Sequence, residues 1–305
     1  MIIDLKELSI SDLQILLGPN DNYLKEIEKY YHLSITLCDQ QFIFPENKEV
    51  EKLLYKLIDY VSTNHCLELW EVQLFMHNQS ELLNTDRDLQ LGYTLRGQKI
   101  KVKTLGQYYF VLAMQKNTVV ISTGPAGSGK TFLAVAKAVS ALRNHEVERI
   151  ILTRPAVEAG ESLGFLPGDL KEKVDPYLTP LYDALSNMLG LEQMAKYLAN
   201  GNIEIAPLAY MRGRTLHNAY IILDEAQNTS IAQMKMFLTR LGFHSKMVIS
   251  GDISQIDLKE YTSSGLVDAL QRLQGIDDIA IIKMSEKDIV RHALVRSIIK
   301  AYADV

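Results

Sequence analysis

The stretch Ile121–Ala136 reads ISTGPAGSGKTFLAVA, and Gly124–Thr131 within it match the pattern G-x-x-x-x-G-K-[ST] at every fixed position. The preceding residues, Thr118–Thr123, have the apolar and β-branched character of a buried strand, and a helix is expected after Lys130. Glycines at such a turn let backbone N–H groups face a pyrophosphate without side chains in the way. The stretch therefore predicts a phosphate-binding loop at the beginning of a helix.

Each residue type in this loop has a predicted task. Lys130 is expected to reach the β- and γ-phosphates, and the Thr131 hydroxyl is a predicted Mg²⁺ ligand. The residues expected to contact the nucleotide are Gly124, Pro125, Ala126, Gly127, Ser128, Gly129, Lys130 and Thr131. The loop alone does not name an activity, because kinases, GTPase switches, transporters and nucleic-acid motors all carry it.

A pair of adjacent carboxylates follows a second apolar run, Ala219–Asn228, which reads AYIILDEAQN. Asp224 at the predicted strand end can hold Mg²⁺ through water, and Glu225 can polarise the attacking water. Two carboxylates with separate tasks indicate hydrolysis, since a pure kinase needs no water-activating Glu here. An acidic N-cap of a helix is the alternative interpretation.

Two glutamines are further candidates for nucleotide contacts. In VISGDISQIDL (Val248–Leu258), Gln255 follows Asp252 after an apolar strand, and its amide is expected to sense the γ-phosphate. Gln107, shortly before the loop, has a donor and an acceptor on one amide and can pair with the N6 and N7 edge of adenine. A solvated glutamine, in a turn or at a helix start, is the alternative in both cases.

The chain of 305 residues is expected to contain two domains, because its two parts differ in pattern. Residues 1–80 combine short strands and helices, with a strand predicted at Leu13–Asp21, and suggest a small α+β domain. Residues 81–106 read as an extended connector or hairpin. In residues 107–305 apolar strands alternate with helices, which predicts an α/β domain with a parallel sheet covered on both faces. The strands are predicted at 117–123, 148–154, 202–208, 219–225, 246–252 and 278–284.

Apolar runs, cysteines and net charge indicate in which compartment the protein works and which partners it can bind. No apolar run approaches the roughly 18 residues that span a bilayer, and the start MIIDLKELSISD does not resemble a secretion signal. Cys38 and Cys66 lack metal spacing and are expected to be free, buried thiols in a reducing compartment. We therefore expect a cytoplasmic protein without a membrane partner. Because the net charge is −5, a nucleic-acid partner would need a local basic patch.

The order of the motifs indicates which phosphate chemistry applies. The loop, DEAQ and GD-x-x-Q, each after a strand, resemble the first motor domain of superfamily 1 helicases. A GTPase is not favoured because no Asn-Lys-x-Asp motif is present. The stretches that continue between and after these motifs resemble the PhoH family of phosphate-starvation-inducible ATPases, from about Val102 onward. They are Thr153–Leu185, Pro207–Gly242, Ser263–Leu266 and Asp288–Val295.

The resemblance implies a RecA-like P-loop NTPase core and Mg²⁺-dependent hydrolysis of ATP. It also implies work in RNA metabolism, with an endoribonuclease of rRNA maturation as a candidate partner, and a homo-oligomeric ring, expected to be a hexamer. Superfamily 1 helicases take arginines from a second motor domain, which this chain is expected to lack, so a neighbouring subunit or the domain itself must supply one. The candidate arginines, with Arg291 placed in the predicted catalytic set, are Arg154, Arg212, Arg214 and Arg291.

Nucleic-acid contacts are predicted at two places, each with an alternative. The resemblance implies a KH-like N-terminal domain, whose GXXG turn would be Gly18–Asp21. Here Asp21 replaces the second glycine with a charge that opposes phosphate, and Pro19 removes a backbone N–H. Both changes disfavour RNA binding by this turn, and a structural or partner-docking domain is the alternative interpretation. Lys171, Lys173 and the loop around 160–168 are candidates for a nucleic-acid path, and a charged surface helix is the alternative.

A different class of function also fits the motifs. A nucleotide-gated scaffold would bind protein partners in its ATP state and turn over slowly, without motor activity. Strong stimulation of hydrolysis by RNA would favour the motor interpretation. Weak basal turnover with ATP-dependent capture of a partner would favour the scaffold.

Overall fold

The computed structural model describes residues 1–80, 83, 89, 91–155, 170–258, 262–290, 294, 295 and 298, and only the backbone of residues 170–177. The chain forms two compact units. The smaller comprises residues 1–87 with 103–105, and the larger comprises residues 88–102 with 106–305. The segment 88–102, assigned above to a connector, thus belongs with the larger unit.

The smaller unit is an α+β fold with an antiparallel sheet in the order β1-β3-β2. Its elements are β1 (Ile2–Asp4), α1 (Ile10–Leu17), α2 (Asn22–Tyr31), β2 (Thr36–Cys38), β3 (Gln41–Ile43), α3 (Lys48–Asn64) and α4 (Leu69–Met76). A 3₁₀ turn, Pro19–Asp21, joins α1 to α2. Leu53, Leu54, Leu57 and Val61 form an apolar stripe on α3, and all four are buried.

The strand predicted at Leu13–Asp21 is wrong, because α1 occupies the first part of this stretch. Its N-cap, Ser9, accepts a hydrogen bond from the backbone N–H of Asp12 at 3.0 Å, which satisfies an otherwise unpaired donor of the first turn. Gly18 ends the helix at φ +72°, and a Cβ there would lie 2.5 Å from the ring of Tyr23. The N-cap Ser9, which marks the beginning of the helix, lies before the apolar run that suggested a strand.

Neither Cys38 nor Cys66 forms a disulfide, as predicted, but both are exposed. Cys38 ends the short strand β2, in which all three residues are exposed. The prediction that these thiols are buried is therefore wrong. A three-residue strand at the edge of this sheet buries little surface around Cys38, and Cys66 lies in the segment between α3 and α4.

The larger unit is an α/β fold whose parallel sheet has the strand order β6-β5-β7-β8-β4-β9. The strands are β4 (Val119–Thr123), β5 (Arg149–Arg154), β6 (Ile203–Pro207), β7 (Ala219–Leu223), β8 (Lys246–Gly251) and β9 (Ile279–Lys283). All six predicted strands are confirmed. The helices are α5 (Leu105–Lys116), α6 (Lys130–Arg143), α7 (Leu170–Leu189), α8 (Leu191–Ala199), α9 (Ile231–Leu238) and α10 (Gly265–Arg272).

The inner strands of this sheet are buried on both faces, which explains their continuous apolar sequences. Every residue of β4 and of β7 is buried. In the strand register, Thr123 lies beside Gly251 and Thr153 beside Leu223. Because parallel strands end at the same edge, the residues that follow β4, β5, β7 and β8 meet there.

No helix in the part of the chain that the structure describes is long and apolar enough to cross a membrane.

Lys246 of β8 caps the carboxyl end of α5. The Lys246 ammonium donates hydrogen bonds to the carbonyl oxygens of Met114 at 2.8 Å, Gln115 at 2.7 Å and Asn117 at 3.3 Å. These carbonyls lie at or just beyond the last turn of α5, where backbone acceptors lack helical partners. A cation at this end of a helix also complements the helix dipole.

We expect Lys246→Met to lower the free energy of unfolding of the larger unit by about 2 kcal/mol, because the carbonyls lose a charged donor. The matched control is Lys235→Met on α9, where the lysine is exposed and the change should stay within about 0.5 kcal/mol. Scanning calorimetry of the two variants measures the difference. Equal losses in both would show that the bonds to α5 add no stability.

Candidate active site

The predicted phosphate-binding loop lies between β4 and α6, at the carboxyl edge of the sheet. Two of its glycines have backbone conformations or surroundings that exclude other residues. Gly124 has a φ of +154°, and a Cβ there would lie 2.6 Å from Cβ of Met284. Gly129 has a φ of +86°, and its Cβ would lie 3.0 Å from Nε2 of Gln107. The loop is thus packed tightly against Met284 and Gln107.

Lys130 spans the loop from the first turn of α6. Its ammonium donates to the carbonyl oxygens of Gly124 at 2.6 Å and Pro125 at 2.9 Å, and to Oγ of Ser128 at 3.2 Å. Burial lowers the pKa of Lys130, and the nearby carboxylates of Asp252, Asp224 and Glu225 act in the opposite direction. The side chain is therefore a buried cation held by neutral acceptors and by acidic neighbours, in the place where phosphate oxygens are predicted.

The Asp224 carboxylate connects the loop to β7 and β8. Its Oδ1 accepts hydrogen bonds from the hydroxyls of Thr131 and Ser250, each at 2.8 Å. Its Oδ2 is buried 3.1 Å from Nη2 of Arg154 and accepts no hydrogen bond from the described residues. The Thr131 hydroxyl and a carboxylate oxygen with spare capacity form the all-oxygen donor set that suits Mg²⁺.

Glu225 follows Asp224 and is held from two sides. Nη2 of Arg154 donates to its Oε1 at 2.9 Å, and Nε2 of Gln227 donates to its Oε2 at 2.5 Å. Its backbone lies in the left-handed region, at φ +54°. Such a conformation costs free energy in a non-glycine residue and persists only where the surroundings enforce it. With 40 % of its side chain exposed, Glu225 is at once constrained and accessible to water.

The carboxyl end of β8 contacts the loop through Asp252. Oδ2 of Asp252 accepts the backbone N–H of Ala126 at 3.1 Å, and Oδ1 accepts the N–H and the hydroxyl of Ser254 at 3.0 and 2.6 Å. Gln255 is exposed and lines the same cavity as the loop. Its role as a sensor of the γ-phosphate stays a prediction.

These residues surround a cavity of about 270 Å³. Its wall is formed by loop residues between Ala126 and Thr131, together with Asp224, Glu225, Asp252 and Gln255. A volume of this size is at the low end for ligand sites and is suited to the phosphate part of a nucleotide rather than to the whole molecule. The structure thus brings together the loop, the two carboxylates and Gln255.

Gln107 lies behind the loop. Its side chain is buried, and Nε2 donates to the carbonyl oxygen of Ser128 at 2.9 Å. Val290 supports the same loop, since its N–H donates to the carbonyl oxygen of Gly127 at 3.0 Å. In this arrangement the amide of Gln107 holds the loop, and its predicted contact with adenine stays a prediction.

The candidate arginines have different surroundings. Arg154 lies in the site, where it pairs with both carboxylates. Arg214 makes two hydrogen bonds to Glu204, at 2.6 and 2.7 Å, and Arg212 is exposed. Arg291 lies outside the described residues, and so does the segment 160–168. For Lys171 and Lys173 only the helical backbone of α7 is described.

Two residues of the site were not singled out in the sequence. Ser250 is the residue before Gly251 at the end of β8, and its hydroxyl contacts Asp224. Gln227 is the last residue of the DEAQ motif and contacts Glu225. Ser250 could have been found as a polar residue near the end of an apolar strand. Gln227 could have been found because it shares a turn with Glu225, a candidate catalytic carboxylate.

We expect Gly129→Ala to weaken ATP binding at least tenfold, because the new methyl group would push the Gln107 amide away from Ser128 and tilt the loop. Gly213→Ala is the matched control. Gly213 also has a positive φ, +76°, but no atom lies within 4 Å of its added Cβ. A fluorescent ATP analogue reports the affinities, and melting temperatures report the backbone strain common to both. Equal affinities in the two variants would contradict the expected role of the glycine.

Known proteins show extensive sequence similarity to this chain. The family model described as PhoH-like protein matches residues 99–303. A PhoH-like protein of Bacillus subtilis (strain 168) is 50% identical over 295 residues, which cover 94% of this chain and 92% of that protein. One from Mycobacterium leprae (strain TN) is 48% identical over 299 residues, covering 95% and 85% of the respective chains.

Among solved structures, the Sulfolobus solfataricus SWI2/SNF2 ATPase core in complex with dsDNA shows a TM-score of 0.32 at 16% identity. The match covers 48% of this chain and 30% of that one, and a likeness this distant supports no conclusion. The range matched by the family model includes positions 124–131, 224 and 225, and the two relatives are aligned over most of the chain. The chain therefore belongs to the PhoH family.

Proposed function

We propose that this protein hydrolyses ATP by cleaving the bond between its β- and γ-phosphates. The observation that carries the proposal is the 2.8 Å hydrogen bond between the Thr131 hydroxyl and Asp224, with Glu225 on the wall of the same cavity. A hydroxyl from the phosphate loop and a carboxylate from a neighbouring strand end are the pair that holds Mg²⁺ in P-loop NTPases. The adjacent Glu225 adds a group able to act on water.

Thr131 and Asp224 would hold the Mg²⁺ ion. When bound, the ion would neutralise the negative charge that develops on the phosphate oxygens. The residues present fit this group, because Oδ2 of Asp224 accepts no hydrogen bond from the described residues, and the Arg154 guanidinium, 3.1 Å away, would give way to the ion.

The loop and Lys130 bind and orient the triphosphate. The backbone N–H groups at the beginning of α6 present a positive helix end to the phosphates. The Lys130 ammonium exchanges its bonds with the carbonyls of Gly124 and Pro125 for bonds with phosphate oxygens. Since the ammonium already lies across the loop, little reorganisation is needed when the substrate arrives.

Glu225 acts as the general base. It accepts a proton from the water that attacks the γ-phosphorus, which requires one of its oxygens to be free of a competing cation. In the structure, Oε1 is bonded to Arg154. Bound phosphates give Arg154 another anionic partner, so binding of ATP releases Glu225 and brings a guanidinium to the reacting group. Of the candidate arginines among the described residues, Arg154 is the one that contacts the catalytic carboxylates.

The biological setting of the proposal comes from the family resemblance and the sequence. We propose a role in RNA metabolism, with RNA and an endoribonuclease as partners, in the cytoplasm. We also propose a homo-oligomeric ring in which a neighbouring subunit adds an arginine to each site, because closed rings place the same surface beside every site. The N-terminal unit and its Gly18–Asp21 turn are the proposed second contact with RNA.

We expect Glu225→Gln to lower kcat by a factor of 10² to 10⁴, the usual contribution of a general base, and to leave ATP affinity nearly unchanged. Glu204→Gln serves as a control, because Glu204 pairs with Arg214 outside the cavity. Phosphate release under saturating ATP measures kcat. Full activity in the Glu225→Gln protein would show that another group activates the water.

We also expect the turnover per subunit to rise with protein concentration and to rise again with single-stranded RNA, because a ring would complete its sites in trans. Duplex RNA and DNA test the specificity of the stimulation. Slow turnover that is indifferent to concentration and to every nucleic acid would contradict the motor function. It would support the nucleotide-gated scaffold, for which ATP-dependent capture of a protein partner is the next measurement.

A further inference from the structure

Gln227 is a buried side chain with a complete set of bonds, two of which lead to the candidate catalytic machinery. It lies in the 3₁₀ turn Ala226–Asn228, directly after Glu225, and only 1 % of it is exposed. Its Nε2 donates to Oε2 of Glu225 at 2.5 Å and to the carbonyl oxygen of Gln255 at 3.2 Å. Its Oε1 accepts the backbone N–H of Asp252 at 3.0 Å.

The orientation of this amide is determined by its neighbours. With the oxygen and nitrogen exchanged, Oε1 would face the Glu225 carboxylate and the Gln255 carbonyl, and the NH₂ group would face the N–H of Asp252. All three contacts would become repulsive, so only one orientation is stable. The NH₂ group of the amide therefore faces two acceptors, the Glu225 carboxylate and the Gln255 carbonyl, and its oxygen faces one donor, the N–H of Asp252.

The turn that carries Gln227 is also immobilised. The hydroxyl of Ser264, the N-cap of α10, donates to the Gln227 carbonyl oxygen at 2.8 Å. A Cβ on Gly251 would lie 2.7 Å from Oε1 of Gln227, so a glycine is needed where the amide packs against the end of β8. A buried and fully bonded side chain of this kind keeps its neighbours in one geometry.

The contacts of Gln227 join the phosphate loop to the candidate base through consecutive hydrogen bonds. The Ala126 N–H of the loop donates to Oδ2 of Asp252, the Asp252 N–H donates to Gln227, and Gln227 donates to Glu225. The distances are 3.1, 3.0 and 2.5 Å. A displacement of the loop is thus transmitted to the Glu225 carboxylate.

We propose that Gln227 is a positioning residue, which holds the Glu225 carboxylate for water activation and makes its position depend on the loop and on the segment Asp252–Gln255. This inference rests on the proposed ATP hydrolysis. Without Gln227, the side-chain bond that remains to Glu225 comes from Arg154, on the opposite side of the carboxylate. Glu225 would then follow Arg154, and its exposed side chain would lose the geometry that the attack of water requires.

The test compares Gln227→Met with Gln227→Glu. Methionine fills nearly the same volume but makes no hydrogen bond to Glu225 or to Asp252. We expect it to lower kcat by 10- to 100-fold, the usual cost of a misplaced catalytic group, and to change ATP affinity less than threefold. Glutamate keeps the acceptor for the Asp252 N–H and replaces the donor to Glu225 by a second carboxylate.

The dependence of kcat on pH separates positioning from a merely structural role. In Gln227→Glu two adjacent carboxylates share a proton to higher pH, so the acidic limb of the profile should move upward. Among the described residues, the other charged groups around Glu225 are the same in both variants; they are Arg154, Asp224, Asp252 and Lys130. A change that acted only through folding would not move this limb.

Different failures identify different errors. If the wild-type protein hydrolyses ATP and Gln227→Met retains kcat within twofold, the positioning role is wrong. The role is also wrong if kcat, ATP affinity and melting temperature fall together and the acidic limb of Gln227→Glu does not move. If the wild-type protein binds ATP but hydrolyses none, the proposed function fails, and the inference fails with it.

Discussion

The buried Asp224 carboxylate is the interaction on which the site depends. It follows β7, and its three polar neighbours come from three other strand ends: Thr131 after β4, Arg154 at the end of β5 and Ser250 near the end of β8. A carboxylate that is only 3 % exposed is costly unless hydrogen bonds and a cation compensate for its lost hydration. The buried Asp224 carboxylate is therefore stable only if β4, β5, β7 and β8 end at the same level of the sheet.

The loop that faces this carboxylate is held in place before any substrate arrives. Gln107, Asp252 and Val290 each bond a different residue of it, namely Ser128, Ala126 and Gly127. These supports come from α5, from the segment after β8 and from the segment after β9. Preorganised donors need not rearrange when charge develops on a phosphate, which is how such sites stabilise a transition state.

Two anchors with opposite properties hold Glu225. Arg154 is a cation that competes with the proton transfer expected of a base, and bound phosphates can attract it away. Gln227 is neutral, buried and bonded to the backbone of the Asp252–Gln255 segment. Arg154 responds to charge in the cavity, whereas Gln227 moves with the Asp252–Gln255 segment to which it is bonded. In the proposed mechanism, the two anchors together make the orientation of Glu225 depend on what the cavity contains.

Sequence reasoning was accurate where the signal is local and repeated, as in the strands of the parallel sheet. It failed where a short element is decided by its flanks. The helix α1 depends on a cap at Ser9, outside the apolar run that suggested a strand. The exposure of Cys38 depends on its place in a three-residue strand rather than on its residue type.

By itself, the sequence predicted a P-loop protein with a parallel sheet, because glycine spacing and apolar runs are properties of consecutive residues. The longer stretches between and after the motifs carried the resemblance to the PhoH family. The sequence also placed the loop, Asp224 and Glu225, since each follows a recognisable strand. Only the tertiary structure decided that Arg154 and Gln227 hold Glu225 from opposite sides. Arg154 is 71 residues from Glu225 along the chain, and the Gln255 carbonyl is 28 residues from Gln227. Such contacts depend on how strands are ordered in the sheet, which no local pattern encodes.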